Sequence, residues 1–199
     1  EIADGDWSSD VCSSDLWNLW LIQTDAHGDS LWSRTYPVGT PYCIKSTDDS
    51  GYVVSGRGVE GGHTAYLLKL NSDGNTQWLQ SYKKTNEDAA LCVQQTSDSG
   101  FIIAATTAIQ GGDIWLIKTD ATGDTLWTKT YGSDYLDIVR SVCETPDGGY
   151  FLAGEYTVHG PLGLELHIWL LRTDAQGDTL WTRKINNGSW GDYAYVMRP

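Results

Sequence analysis

A unit of about 50 residues recurs along the whole chain, and this repeat constrains the fold more than any other feature. Its clearest mark is a phrase that reads WLIKTDATGDTLW in one copy. Four copies align without gaps, beginning at Trp20, Tyr66, Trp115 and Trp169. The phrase closes on a tryptophan in each copy, at Trp32, Trp78, Trp127 and Trp181. Because the units are alike, each is expected to form the same small structure and to pack on its neighbours.

A second phrase lies between the copies of the first and begins at Tyr42, Leu91 and Ser141. It consists of two short runs around an Asp-x-Gly or Asp-Gly-Gly turn that is followed by Tyr or Phe, a pattern typical of a β-hairpin. Each full period therefore contains four strands. In the third period we predict them at 141–144, 150–155, 167–173 and 179–184.

The predicted third and fourth strands of each unit differ in character. The third strand carries consecutive apolar residues, as in Trp115, Leu116 and Ile117, which is typical of a strand that is covered on both faces. The fourth strand alternates less cleanly and is predicted to be an outer, half-exposed edge. Helix is disfavoured because the runs are short, rich in β-branched and aromatic residues, and separated by Gly or Pro.

A four-stranded antiparallel repeat of this length is the signature of a β-propeller blade. The sequence therefore predicts an all-β fold, a partial β-propeller with three complete blades at 40–84, 87–132 and 136–184. A half blade at 17–36 precedes them, and the first strand of a next blade at 190–199 follows them. Because the chain begins and stops inside blades, we expect it to be a fragment of a larger protein.

The first sixteen residues are interpreted as non-native. The stretch DWSSDVCSSDL at 6–16 resembles the in-frame translation of a sequencing-library adapter. The segment 1–16 has five acids, four serines and no base, and it shows neither strand nor helix periodicity. We therefore leave it out of the fold prediction.

The repeats resemble a family of secreted bacterial and archaeal propeller repeats. The phrases at 112–137, GDIWLIKTDATGDTLWTKTYGSDYLD, and at 144–156, ETPDGGYFLAGEY, carry the likeness. The resemblance implies an extracellular or cell-surface propeller within a longer protein and brings no catalytic residues with it. The first complete blade departs from the pattern at Leu70, Asn71 and Gln77.

A weaker likeness points to an enzyme. Asp120, Thr122, Gly123 and Trp127 imitate the docking motif of quinoprotein dehydrogenase blades, but the distance from Asp to Trp is one residue short. The vicinal cysteines that such enzymes place near their cofactor are absent from the sequence.

Charge and hydropathy exclude two classes of partner. The chain has 26 acidic against 13 basic residues, a net charge of −13, whereas nucleic-acid binding requires a basic surface. No apolar run approaches the roughly 20 residues that a membrane-spanning helix needs. We therefore expect neither a nucleic-acid partner nor a membrane span.

The acidic turns have two interpretations. The turn Asp120–Asp124 and its copies, which begin at Asp25, Asn71 and Asp174, place polar side chains around a glycine. Such groups bind calcium in other proteins, but the spacing of an EF-hand is missing. We predict a hairpin turn in which the first side chain accepts backbone amides, no resident cofactor, and calcium as the alternative.

The closing tryptophans and the cysteines are predicted to be structural. A tryptophan at one position of every repeat indicates packing between blades, with a sugar-binding platform as the alternative. Cys43 and Cys92 share one register of the first strand, where the third blade has Ser141, and Cys143 lies two residues further on. With Cys12 set aside, we expect buried free thiols and neither a disulfide framework nor a metal ring.

The candidate binding face lies where the loops that precede the first strands meet the loops between the second and third strands. Acids recur before the first strands, at Glu87, Asp88, Asp134, Asp137 and Asp192. Histidines and a further acid lie beside them, at His63, His159, Glu165 and His167, and the last three are assigned to one long loop. The predicted ligand-binding residues are Asp88, Tyr135, Asp137, His159, His167, Trp190 and Asp192.

These observations favour a non-enzymatic secreted or cell-surface module that binds or displays, with a protein or a carbohydrate as its ligand. The alternatives are a propeller enzyme, quinoprotein-like or polysaccharide-active, and a structural adhesin segment. Convergent carboxylates or a metal in a channel-mouth pocket would favour the enzyme, and a flat apolar patch would favour adhesion. The open blade edges predict self-association.

Overall fold

A computed structural model of the chain describes residues 18–58, 63–108, 112–133, 135–160 and 163–186. The segment 1–16 and the strand predicted at 190–199 lie outside these residues. Among the described residues we find no helix with the length and apolar character that crossing a membrane requires.

In the described part of the chain, fourteen β-strands form one two-stranded and three four-stranded sheets, and all neighbouring strands are antiparallel. The half blade consists of β1 (Leu19–Thr24) and β2 (Ser30–Tyr36). The first blade consists of β3 (Thr40–Ser46), β4 (Tyr52–Gly58), β5 (Thr64–Leu70) and β6 (Thr76–Tyr82). The second blade consists of β7 (Ala89–Gln95), β8 (Phe101–Thr107), β9 (Asp113–Thr119) and β10 (Thr125–Tyr131). The third blade consists of β11 (Asp137–Glu144), β12 (Tyr150–Gly160), β13 (Gly163–Thr173) and β14 (Thr179–Ile185).

This arrangement confirms the predicted all-β fold, a partial propeller of four-stranded blades. The first strands contact one another, β3 with β7 and β7 with β11, so they form the inner side of the arc. Every residue of β5 and β9 is buried, whereas β6, β10 and β14 are mostly exposed. The exposed fourth strand is therefore confirmed, and the covered third strand is confirmed in the first and second blades. In the third blade, buried and partly buried residues alternate along β13, and β1 of the half blade has one buried residue.

The turns follow from local chemistry. In the turn between β9 and β10, Asp120 Oδ1 accepts the backbone N–H groups of Thr122 and Asp124 at 2.9 Å each. Gly123 takes φ +84°, a conformation that glycine adopts without steric cost. Asp25, Asn71 and Asp174 accept the equivalent amides in the other sheets. The predicted hairpin turn is confirmed.

Three apolar clusters lie between successive sheets and form the core. One joins the half blade to the first blade through Leu19 and Leu68, one joins the first and second blades, and one joins the second and third. Apolar burial between sheets is therefore what holds the arc together.

The closing tryptophans lock adjacent sheets, as predicted, at three of their four positions. Trp78 meets the ring of Phe101 in the second blade edge-on, with ring centroids 5.7 Å apart, and Trp32 and Trp127 make the equivalent contacts with Tyr52 and Tyr150. The fourth, Trp181, differs from the prediction.

Trp181 packs on Phe151 of its own blade and stays 43% exposed. The other three tryptophans each contact an aromatic ring in the following sheet. No further sheet follows the third blade among the described residues.

A tyrosine at the end of the fourth strand adds a hydrogen bond between sheets. Tyr82 Oη donates to the carbonyl oxygen of Gly123 at 2.7 Å. Tyr36 and Tyr131 make the same bond to Gly74 and Gly177. The third blade has Ile185 at this position. The hydrogen bond between sheets is therefore made from the half blade, the first blade and the second blade.

The hairpin β12–β13 corrects one prediction. His159, Glu165 and His167 were assigned to a long loop, but all three lie on strands, which pair as far as Gly160 opposite Gly163. Pairing with β12 begins at Gly163, so β13 starts before the predicted position 167. From His167 onward, buried and partly buried residues alternate along the strand. Strand β11 likewise begins at Asp137 and not at 141.

Candidate ligand-binding groove

Each inner strand carries a β-bulge at the same place. In β3 the register shifts between Pro41 and Cys43, so that Tyr42 has no partner of its own on β4. Leu91 occupies the same position in β7, and Arg140 occupies it in β11. A bulge redirects a side chain away from the regular pleat, and these three side chains line one groove.

The groove has a volume of about 250 Å³ and crosses all three complete blades. Three kinds of surface meet in it. Tyr42 supplies an aromatic ring, Leu91 and Ile138 supply apolar surface, and Arg57 and Glu87 supply charge. Its lining residues are Tyr42, Arg57, Glu87, Ala89, Leu91, Thr106, Leu136, Ile138 and Arg140.

Two guanidinium groups face the groove, and they are held differently. Arg140 binds Glu155 through Nε and Nη2 at 3.0 Å each, and Glu155 is only 1% exposed. This bidentate pair is geometrically defined. Arg57 donates from Nη2 to Glu87 Oε2 at 2.6 Å, and Glu87 is largely exposed. The two arginines are similarly exposed, and the pairs differ in the carboxylate, which is exposed in Glu87 and buried in Glu155.

The groove ends at the loops that the sequence pointed to. Glu87 also lies 3.3 Å from His63 Nδ1, and the backbone N–H of Asp88 donates to the carbonyl oxygen of His63 at 3.0 Å. The loop before β7 thus meets the segment before β5. The two loop types do come together at one end of the blades, as predicted.

Two of the predicted ligand-binding residues are committed to the loops themselves. Asp88 is fully buried and accepts hydrogen bonds from the backbone amides of Lys84 and Thr85 and from the Thr85 hydroxyl. Asp137 is buried at the equivalent position and accepts the amides of Ser133 and Thr157. Burial raises the pKa of Asp137, which hydrogen bonds from Ser133 oppose. Both carboxylates therefore hold the loop before their strand in place through hydrogen bonds.

His167 is also held by its neighbours. Its Nδ1 lies 2.9 Å from the Tyr156 hydroxyl, and its Nε2 lies 3.0 Å from Asn186 Nδ2 and 3.3 Å from Glu165. The amino group of Lys184 sits over the Tyr156 ring at 4.1 Å. His167 is buried among these groups, so it belongs to the packing of the third blade.

The other predicted residues are dispersed. His159 is exposed near the end of β12, and Tyr135 is exposed in the loop before β11. Asp137 and His167 flank Tyr156 on adjacent strands, whereas Asp88 lies one blade away. Asp134, Trp190 and Asp192 lie outside the described residues.

The groove residues Tyr42, Arg57, Leu91 and Arg140 were not identified from the sequence. A signal for them exists in the repeats. At the bulge the three blades have Tyr, Leu and Arg, whereas the next position has Cys43, Cys92 and Ser141, all small. A position whose chemistry changes while its neighbours repeat is free of the packing constraint that every blade shares.

Metal binding was weighed at the acidic turns. Within 18–58, 63–108, 112–133, 135–160 and 163–186, no group of three or more His, Cys, Asp or Glu side chains is placed to hold a metal ion. Calcium at the turns stays a prediction. Comparison of the chain with protein-family models gives no match, and comparison with curated proteins gives none.

Proposed function

We propose that the chain is a non-enzymatic binding module, part of a secreted or cell-surface propeller protein, and that the groove holds a hydroxyl-rich ligand such as the end of a glycan. The observation that carries this proposal is the divergence of Tyr42, Leu91 and Arg140 at equivalent bulges that face one groove. The extracellular location rests on the resemblance of the repeats to secreted propellers.

The chemistry of the groove supports a sugar. An aromatic face packs against the C–H face of a pyranose, and Tyr42 is the ring at the groove. Planar charged groups such as Arg57 and Glu87 pair with vicinal hydroxyls through several hydrogen bonds at once. A few polar groups placed on a mostly apolar wall are typical of small-molecule sites, and a volume of about 250 Å³ suits one or two sugar rings.

The groove favours binding over catalysis. Glu87 accepts a hydrogen bond from Arg57, and Glu155 accepts two from Arg140. An enzyme acting on glycosidic bonds requires two carboxyl groups that flank the bond. Here the carboxylates of Glu87 and Glu155 are each hydrogen-bonded to an arginine.

The proposal is tested by titrating the full chain with cellobiose, maltose, chitobiose and mannobiose and following binding by calorimetry. We expect saturable binding of at least one of these sugars. Tyr42→Ala and Arg57→Ala should each weaken it about tenfold or more, the loss of about 1.4 kcal/mol.

The matched control is Leu126→Ala, which removes an exposed side chain on β10 outside the groove lining and should leave binding unchanged. Tyr135→Ala tests the face predicted from the sequence. The groove is the wrong site if Tyr135→Ala abolishes binding while Tyr42→Ala and Arg57→Ala do not. Failure of all four sugars to bind a folded chain overturns the proposal.

A further inference from the structure

Two cysteines that are 49 residues apart in sequence meet between the first and second blades. Cys43 follows the bulge of β3 and Cys92 follows the bulge of β7, and these two strands contact each other. Cys43 packs against the apolar cluster to which Cys92 belongs. The two side chains lie close enough for a hydrogen-bonding interaction between the thiols to shift the pKa values of both.

The two thiols differ in their surroundings. Cys43 is half-buried, whereas Cys92 is buried. The hydrogen bond with Cys92 lowers the pKa of Cys43 against the effect of burial, and the Val93 backbone amide and the Lys45 charge lower it further. The same hydrogen bond, together with burial, raises the pKa of Cys92. Cys43 is thus the more exposed thiol and the one whose pKa is lowered, and Cys92 is the buried thiol whose pKa is raised.

The third cysteine of the described residues provides a contrast. Cys143 is buried in the third blade, and burial raises its pKa. At the register of Cys43 and Cys92 the third blade has Ser141. Among the three described blades, one neighbouring pair therefore has two thiols at this register. Thiolate character and access together determine which cysteine reacts, and both favour Cys43.

We propose that Cys43 and Cys92 are a redox-active dithiol that closes to a disulfide between the first and second blades by exchange with a low-molecular-weight disulfide. The Cys43 thiolate attacks one sulfur of the small disulfide, its S–S bond breaks, and one small thiolate leaves. Cys92 then loses its proton to water, and its sulfur attacks Cys43 Sγ, releasing the second small thiolate. The protein loses two electrons and one proton, and the small disulfide becomes two small thiolates.

This reaction bears on the groove as well as on stability. Tyr42, which lines the groove, directly precedes Cys43, so the disulfide ties the backbone of one groove wall to β7. It also closes a loop of about 50 residues, which restricts the unfolded chain. We therefore expect the oxidised chain to unfold at a higher urea concentration than the reduced chain.

The test uses the full chain with Cys12→Ser, because Cys12 would otherwise supply a fourth thiol. The reduced protein is incubated with oxidised glutathione, and its peptides are mapped without reductant. We expect one cross-linked species that joins the peptides of Cys43 and Cys92, together with the loss of two free thiols. A folded chain that keeps all three thiols, or that joins Cys143 instead, overturns the proposal.

Two variants follow the order of the steps. Cys92→Ser should accumulate a glutathione adduct on Cys43, because the second attack is missing. Cys143→Ser should form the Cys43–Cys92 disulfide as the parent does. An adduct on Cys92 in the Cys43→Ser variant, formed as fast as the one on Cys43, would contradict the assigned order.

The alkylation rate of the unmodified chain supplies a measurement that does not depend on any substitution folding well. At neutral pH, iodoacetamide should modify Cys43 at least tenfold faster than Cys143. Equal rates at the two sites would contradict the proposal.

Discussion

The second blade and the N-terminal edge of the arc have similar apolar residues at equivalent positions of the repeat, but these residues differ in burial. Trp115 in the second blade is 5% exposed, whereas Trp20, its counterpart in the half blade, is 64% exposed. Val93 on β7 is fully buried, whereas Ile44, at the same register of β3, is 47% exposed. In each case the residue faces the preceding sheet. Among the described residues, no sheet precedes the half blade, and the half blade shows no inner strand that would cover β3.

Contacts within a single blade do not show this difference. Lys69 binds Asp49 in the first blade at 2.8 Å, and Lys118 binds Asp98 in the second blade at 2.9 Å. Each ion pair joins the third strand of a sheet to the turn between its first two strands. A blade therefore forms its own hydrogen bonds from local sequence, while its apolar burial depends on its neighbour.

The largest expected effect is the difference in lost stability between substitutions of Trp115 and Trp20. Trp115→Ala should destabilise the chain by about 3 to 5 kcal/mol, because it empties a packed site between blades. Trp20→Ala should cost less than about 0.5 kcal/mol, as is usual at exposed positions. Denaturant unfolding followed by circular dichroism measures both. Equal losses would mean that the half blade is covered in solution.

The second prediction concerns what covers that edge. We expect the full chain to self-associate through the face that carries Trp20 and Ile44, because exposed apolar side chains gain from burial. Trp20→Ser with Ile44→Ser should weaken the association by roughly thirtyfold, about 2 kcal/mol. Sedimentation velocity over a range of concentrations measures it.

Leu126→Ser is the matched control for that association. Leu126 is exposed on an outer strand of the second blade, so its loss should leave the association unchanged. A parent chain that stays monomeric at every concentration would contradict the expectation.

The third prediction concerns a substitution that removes a hydrogen bond between blades without creating a cavity. Tyr82→Phe deletes the hydroxyl that donates to Gly123 O and should lower the free energy of unfolding by about 1 kcal/mol. Tyr42→Phe, at a half-exposed ring, should change it by a few tenths at most. Urea midpoints distinguish the two. If Tyr82→Phe is neutral, packing alone joins the blades.

The smallest effect concerns the two intrablade ion pairs. The hydrogen bond from Lys69 is the main cause that lowers the pKa of Asp49 to about 2. Burial acts to raise the pKa of Asp98, but hydrogen bonds from Lys118 and Thr96 outweigh it and lower that pKa to about 2 as well. A carboxyl group whose pKa is depressed on folding stabilises the fold above its unfolded pKa of about 4, and this stabilisation is lost as the pH falls toward 2.

Asp49→Asn and Asp98→Asn should therefore each cost less than about 1 kcal/mol at pH 7, because both carboxylates are half-exposed. The difference from the parent should shrink between pH 4 and pH 2. Urea unfolding at pH 7, 4 and 2 measures it. A much larger loss for Asp98→Asn would show that these pairs, too, depend on the neighbouring blade.

Much of the fold was predictable because its signals are local. The Asp-x-x-Gly turns and the apolar run at Trp115 indicate strands and hairpins within a dozen residues. The extension of β12 and β13 was missed because Pro161 and the nearby glycines are ordinary signals of a loop. For the candidate site, the sequence predicted the end of the blades at which the loops meet, but it did not predict the residues that line the groove. The sequence alone does not distinguish an aspartate that binds a ligand from one, such as Asp88, that accepts hydrogen bonds from its own loop.

By itself, the sequence determined the four-stranded unit, its turns and the buried third strand of the first and second blades, because strand period and turn chemistry act over neighbouring residues. Only the tertiary structure decided that Tyr42 and Arg140 share a groove, that Asp137 is buried, and that Cys43 meets Cys92. The groove and the cysteine contact depend on how one blade sits against the next, and Asp137 is held by the loop before its strand and by the adjacent strand β12. These contacts join residues that are up to 98 positions apart, over which no local pattern extends.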